Sequence, residues 1–286
     1  MFSAHLEYGI REKYRAWFAE YHATQANWDA HKQIEDIRAL LARDIDLLVI
    51  DPLEDVTVAN GLEQAQLPLI LAGSTLDISG NVVRVRLPTE DQGRASADWL
   101  AHTVGSGRVI VLSSRTGLSS GAEWLRGVRA SALAEFADLE HSFVRSSWSV
   151  DSARDALAAV LTEHDVIDGV LVNNGLLALG AAQAFLDRGL SIPPISGADD
   201  WNGWLRFARE HDILFTGYSG AANMGLLCIT LAVQLLSGES VPAVTTFGYE
   251  LLDNSSLDRF YRPELNDHYW GVHDLPEAWI QRMFRL

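Results

Sequence analysis

Polar and aromatic side chains stand just past the ends of short, apolar, β-rich runs along this 286-residue sequence. Ser74 follows Pro68–Ala72, Asn174 follows Gly169–Val172, Asp199 follows Ile195–Ala198, and Tyr218 and Ser219 follow Ile213–Thr216. In open parallel sheets, strand ends and helix N-termini converge, and ligands bind there. Asp and Asn side chains make the paired hydrogen bonds that vicinal hydroxyls require, and a flat aromatic ring takes the C–H side of a sugar ring. These types in these places point to recognition of a small polar ligand.

Patterns that carry catalysis are missing. The sequence has no G-x-S-x-G elbow, no G-x-x-x-x-G-K-[ST] loop and no H-E-x-x-H helix. Its nine histidines lack metal-ligand spacing, so neither a metal nor a cofactor is expected. Val172-Asn173-Asn174-Gly175 resembles the Asn-Asn-Ala-Gly turn of short-chain dehydrogenases. Those enzymes also need a tyrosine four residues before a lysine and a glycine-rich turn after the first strand. Neither of the two lysines, Lys13 and Lys32, has that tyrosine, and no G-x-G-x-x-G follows a strand.

The elements that must position these residues alternate. Strand candidates are Ile45–Ile50, Pro68–Ala72, Val82–Leu87, Arg108–Ser113, Gly169–Val172, Ile195–Ala198 and Ile213–Thr216. Helical periodicity lies between them, at Lys32–Arg43, Gly93–Val104, Gly121–Ala137, Ser152–Glu163, Leu176–Arg188, Trp201–Glu210 and Ala221–Ser237. This alternation is the pattern of βαβ units and a doubly wound parallel sheet. The opening departs from it, with an aromatic, charged helix over His5–Tyr21 where a strand is usual, so the first strand is either missing or very short. Residues 261–286 break the rhythm as an aromatic-rich ordered tail, to which the sequence assigns no chemistry.

Composition bounds the reading. A hydrophobic fraction of 48% with 21% charged residues is that of a globular chain, and no apolar run is long enough to span a bilayer. A net charge of −16 argues against a nucleic-acid partner. The single cysteine, Cys228, excludes an internal disulfide and lies in an apolar helical run, as a buried thiol would. Met1-Phe2-Ser3 has no signal-peptide character, so an export signal is not expected within the chain.

Several stretches, in order, resemble the type I periplasmic binding proteins of the ribose- and galactose-binding group. Asp29, Gln33 and Ile37 match its D-x-x-x-Q-x-x-x-I segment, and Ile45–Pro52 its following strand. Pro68–Ser74 is similar to a later strand of the first lobe, and Thr89–Leu100 to the first crossover into the second. Asn174–Ala181 is similar to N-D-x-x-A-L-G-A, and Gly197-Ala198-Asp199 to G-x-D. The resemblance implies an α/β fold of two Rossmann-like lobes joined by a three-strand hinge. The expected lobes are 1–88 with 219–247, and 89–218 with 248–260, followed by the tail.

Carried over by position, Asp199 and Asn174 are implied to hold sugar hydroxyls, although Asp199 can equally cap the helix that follows it. Trp148 falls where the family often stacks an aromatic on the ring, or it belongs to the core. Phe2 and Ser3 would follow a first strand. Ser74, Asp91, Tyr218 and Ser219 lie at strand ends or crossings, and Tyr218 can also be hinge packing. Trp124 stands three residues before Gly127, where the family commonly has arginine, and Gly73-Ser74-Thr75 replaces an acidic-basic pair. An indole in place of a guanidinium makes the site less charged, which leaves the choice of pentose, hexose or polyol open.

The implied function is capture of a monosaccharide or polyol in an interlobe cleft, without chemistry, and delivery to an ABC permease in the membrane. The implied protein is an extracytoplasmic monomer. The competing readings are a sensor domain for chemotaxis or kinase signalling and the ligand-sensing domain of a LacI-type repressor. A repressor would carry a basic helix-turn-helix, and this chain has none.

Overall fold

The computed structural model describes residues 2–27, 29–53, 55–62, 65–74, 76, 78–113, 119–136, 138–164, 166–220, 223–271 and 275–286. In chain order its main elements are α1 (Phe2–Tyr8), α2 (Ala30–Leu41), β1 (Leu48–Ile50), α3 (Asp55–Leu62), β2 (Leu69–Ala72), β3 (Val82–Arg86), α4 (Thr89–Val104), β4 (Gly107–Ser113), α5 (Ser119–Arg129), β5 (Leu139–Arg145), α6 (Val150–Glu163), β6 (Gly169–Leu171), α7 (Gly175–Asp187), β7 (Ile195–Asp199), α8 (Asn202–Glu210), β8 (Phe215–Ser219), α9 (Met224–Leu236), β9 (Val244–Thr246), β10 (Glu250–Asp253), α10 (Leu257–Phe260) and α11 (Glu277–Phe284). They fall into two compact units. The first comprises Met1–Leu87, Gly117–Ser120 and Ala222–Gly248, and the second Pro88–Thr116, Gly121–Ala221 and Tyr249–Leu286.

In the first unit a parallel sheet runs β1-β2-β3-β9. Strand β2 is buried on both faces, as a central parallel strand must be. Leu69 and Leu71 pack with Ile37 of α2 and Val58 and Leu62 of α3, while Ile70 and Ala72 pack with Met224, Cys228 and Leu231 of α9. Burial pushes the Cys228 thiol up to about 12, so it is an unreactive part of that core. Asp29 caps α2 by accepting from the backbone N–H groups of His31 and Lys32 at 2.9 and 3.1 Å. Gln33 donates to the Asp51 carbonyl and accepts from the Leu53 N–H, both at 2.8 Å, which fixes the turn after β1. Two residues of the D-x-x-x-Q segment thus have structural tasks.

In the second unit the sheet runs β10-β8-β7-β6-β4-β5, parallel except for β10, which pairs antiparallel with β8. Alternation along β4 splits the core between the two faces. Val109 and Val111 pack with Leu100 of α4 and Trp124 and Val128 of α5. Ile110 and Leu112 pack with Leu157 of α6 and with α7. Because β4 pairs with β5 on one side and β6 on the other, the order of strands reverses there, and the carboxyl ends of β4, β6, β7 and β8 share one edge.

Several expectations need correction. The opening helix ends at Tyr8 and passes through a wide turn at Gly9–Lys13 and a 3-10 turn at Arg15–Trp17, which ends at an extended Phe18. Phe2 and Ser3 begin α1 rather than following a strand, and their side chains lie outside the described residues, as does Thr75. The last predicted strand of the alternation forms two residues later than Ile213, as Phe215–Ser219, because Ile213 is anchored by the Ala208 carbonyl at the end of α8. The helix over Gly121–Ala137 stops at Arg129, and a 3-10 turn follows at Ala132–Ala134, capped by Ser131. Strand β5 was not expected: Leu-Glu-His-Ser-Phe-Val-Arg sits on the sheet edge and buries only its first residue, so it lacks the apolar signature of the inner strands.

Candidate functional site

The shared edge of the second sheet places two adjacent carboxylates at the end of β7. A bulge between Ser196 and Ala198 shifts the register against β8, and Gly197 adopts φ +84 there. A Cβ at Gly197 would lie 2.0 Å from the Val172 carbonyl oxygen, so only glycine permits this turn of the strand. The bulge presents Asp199 toward the start of α7, where a Cβ on Gly175 would come within 2.6 Å of its Oδ1.

Asp199 keeps part of its surface open, while its carboxylate lies deep among protein atoms. The Trp201 N–H donates to Oδ1 at 3.2 Å, and the Gly175 N–H and the Trp270 indole face the same group as further donors. Loss of water on burial, reinforced by the charge of Asp200, pushes Asp199 up to about 7 against these donors. Asp200 is 1% exposed and is pushed by burial up to about 6. It accepts from the Ser219 hydroxyl at 2.5 Å and the Gly220 N–H at 3.3 Å. The pair therefore titrates near neutral pH and offers acceptors for hydroxyl or amine donors.

The remaining predicted residues take distinct places. Asn174 is 2% exposed and caps α7, its carbonyl accepting from the Leu177 N–H at 2.9 Å and its amide donating to Asn173 at 3.1 Å. Ser219 serves Asp200, beside the pair. Tyr218 is partly buried, its hydroxyl bonded to Ser96 and donating to the Gln92 carbonyl, with its ring edge-on to Tyr249 at 5.0 Å. That engagement makes it packing for its own unit. Trp124 is 4% exposed within the core under α4 and α5, so the indole at this position is a core residue rather than a ligand contact in place of an arginine. Asp91 is exposed in the first turn of α4 and pairs with Arg94 at 2.5 Å. Trp148 is half-buried in the turn between β5 and α6. Ser74, in the first unit, is 1% exposed and accepts from the Leu76 N–H at 3.0 Å.

Asp200 and Trp270 were not singled out in the sequence. The second aspartate directly after G-x-D was a signal for the first. For Trp270 there was none, since it lies far along the chain in the tail. Trp270 forms an antiparallel bridge with Trp201, and their rings meet at 5.9 Å. Among the described residues no group of three or more His, Cys, Asp or Glu could hold a metal, and no helix is long and apolar enough to cross a membrane.

A family model described as periplasmic binding protein domain matches residues 2–240. The chain is 26% identical over 225 residues to the ribose import binding protein of Salmonella typhimurium, covering 74% of this chain and 73% of that protein. It is 23% identical over 242 residues to the xylitol-binding protein of Mycolicibacterium smegmatis, covering 82% and 68%. A solved ABC transporter solute binding protein from Mycobacterium smegmatis with bound glycerol shares the fold at a TM-score of 0.80 and 21% identity, covering 90% of this chain and 91% of that one.

Proposed function

The chain belongs to the periplasmic binding protein domain family, and on that premise we propose that it captures a monosaccharide or polyol outside the cytoplasm and delivers it to an ABC importer, without chemical turnover. The observation that carries this reading is the Asp199–Asp200 pair at the carboxyl end of β7, separated by β6 from the strand where the order reverses. Two carboxylates held by backbone and hydroxyl donors leave acceptor positions for ligand hydroxyls. Relatives named for ribose and xylitol support the ligand class. We assign Asp199 as the hydroxyl acceptor, Asp200, Asn174 and Ser219 as the residues that hold its surroundings, and Trp148 as the aromatic that stacks on the ligand ring.

A thermal-shift panel of ribose, xylose, galactose, xylitol, glycerol and myo-inositol tests the reading. A ligand that binds only the folded state stabilises it by RT ln(1 + [L]/Kd), about 2.7 kcal/mol at a hundredfold excess over Kd. One or a few members of the panel are expected to raise Tm by several degrees, and Asp199→Ala to remove the effect. A response confined to amino acids or nucleosides would replace the ligand class, and consumption of any panel member would replace binding by catalysis.

A further inference from the structure

The first unit holds a buried polar group at the start of α9. Met224, the first residue of that helix, belongs to the core built by Ala72 and Val85, near the carboxyl ends of β2 and β3. A Cβ on Gly73, where the chain leaves β2 at a φ of +66, would lie 3.6 Å from the Met224 Cε. Helix α9 therefore begins at the edge where the parallel strands of the first sheet end, which is where sheets of this kind receive ligands.

Asn223 is the N-cap of α9 and is 9% exposed. Its backbone, at φ −71 and ψ −11, is helical rather than extended, so its side chain is not carried over the first-turn N–H groups and makes no capping bond. No acidic residue lies in that first turn. Asn223 Oδ1 is buried and has no hydrogen-bond partner among the described residues. One helix end thus presents backbone donors that need an acceptor and a buried amide oxygen that needs a donor.

A hydroxyl answers both needs, since it donates its proton to Oδ1 and accepts a backbone N–H at its oxygen. An anion would satisfy the N–H groups but set acceptor against acceptor at Oδ1. A cation would meet the positive end of the helix. We propose that Asn223 is a ligand-binding residue, its amide taking a hydroxyl of a neutral sugar or polyol, and that this position selects neutral polyhydroxy ligands over their acidic counterparts. This rests on the sugar or polyol reading made above and adds to it a residue of the first unit. In sequence Asn223 follows closely on Ser219 and Gly220, which hold Asp200, so the stretch that supports the carboxylate pair runs on toward α9. Asp199 imposes the same preference, because a carboxylate receives hydroxyl protons and repels anions.

Isothermal titration of the intact chain with the panel member that binds most tightly, beside Asn223→Leu and Asn223→Ala, tests this. Leucine fills a similar space without the amide. It removes a buried oxygen that lacks a donor, so ligand-free Asn223→Leu is expected to melt at or above the wild-type temperature. Its affinity is expected to fall about tenfold, the factor that one hydrogen bond of ordinary strength supplies. Asn223→Ala, which asks for no extra room, carries the same expectation for affinity. A residue with a structural role alone would move the melting temperature and leave affinity unchanged. In the wild type the Asn223 side-chain amide resonances should shift on saturation with the ligand, a readout that needs no substitution. An acidic counterpart of that ligand, such as galacturonate beside galactose or xylonate beside xylitol, is expected to bind about tenfold more weakly or worse. Unaltered affinity in both variants, amide resonances indifferent to bound ligand, or an acidic counterpart that binds as tightly as the neutral one overturns the proposal. If no panel member binds the wild type, the sugar reading fails and this assignment with it. If the variants bind as the wild type does, this assignment alone fails.

Discussion

At the scale of the residue, the carboxylate pair ties stability to pH. The ordinary aspartate value is 3.8 and Asp199 is pushed up to about 7, so between these limits the folded chain holds a proton that the unfolded chain has released. The stability this gives is fully present below about 4 and is lost as pH rises through 7. Asp200 adds the same trend, completed near 6. Asp199→Asn removes the ionisation while keeping the shape, so in urea titrations without ligand it should be more stable than wild type at pH 8, by about 1–2 kcal/mol, and indistinguishable near pH 4. An equal difference at both pH values would show that Asp199 carries no ionisation cost. Ligand affinity should move the opposite way, falling on acidification below 7 as the acceptor takes a proton. Asp199 was legible in the sequence because it stands at a strand end in G-x-D. Its environment was not, since burial and an indole from the tail are properties of packing.

At the scale of the element, the strand that carries the pair depends on a glycine with a left-handed backbone. Gly197→Ala would place a Cβ 2.0 Å from the Val172 carbonyl at a φ of +84, so the bulge in β7 must relax and the end of the strand must move. The expected cost is about 3 kcal/mol or more by chemical denaturation, with loss of ligand binding. Gly238→Ala is the control: its φ is +78 with nothing within 4 Å, so strain alone is expected, about 1–2 kcal/mol, with binding intact. Equal costs at the two positions would mean that contact with Val172 plays no part. The inner strands were legible because parallel strands buried on both faces read as continuous apolar runs. Strand β5 was not, because an edge strand with five exposed residues reads as a loop, and α3 was passed over between two stronger signals. The bulge is a matter of register, which no single run of residues states.

At the scale of the whole molecule, the alternation of strands and helices announced the class of fold, and the ordered motifs from Asp29 to Asp199 announced the family. The tail followed neither, and its contribution rests on long-range hydrogen bonds that periodicity does not encode. Leu265 and Tyr269 are fully buried, and Trp279, Ile280 and Phe284 nearly so, which makes residues 261–286 part of the second unit's interior rather than an appendage. Asn202 is the polar centre of that join. Asn202→Ala leaves the Arg262 N–H and two carbonyls without their partner in a buried place, at about 1–3 kcal/mol for each group left unsatisfied. If the tail and α8 are one cooperative element, native-state hydrogen exchange should give the amides of Asn266, Tyr269 and Arg285 opening free energies close to those of Leu205 and His211. Asn202→Ala should lower both sets together. Tail amides that exchange far faster in the wild type, or a variant in which only the tail loosens, would show a strap laid over a unit that folds without it. In that case Trp270 would meet Trp201, next to the carboxylate pair, only while the strap is seated, and binding would report on the tail before it reported on the core.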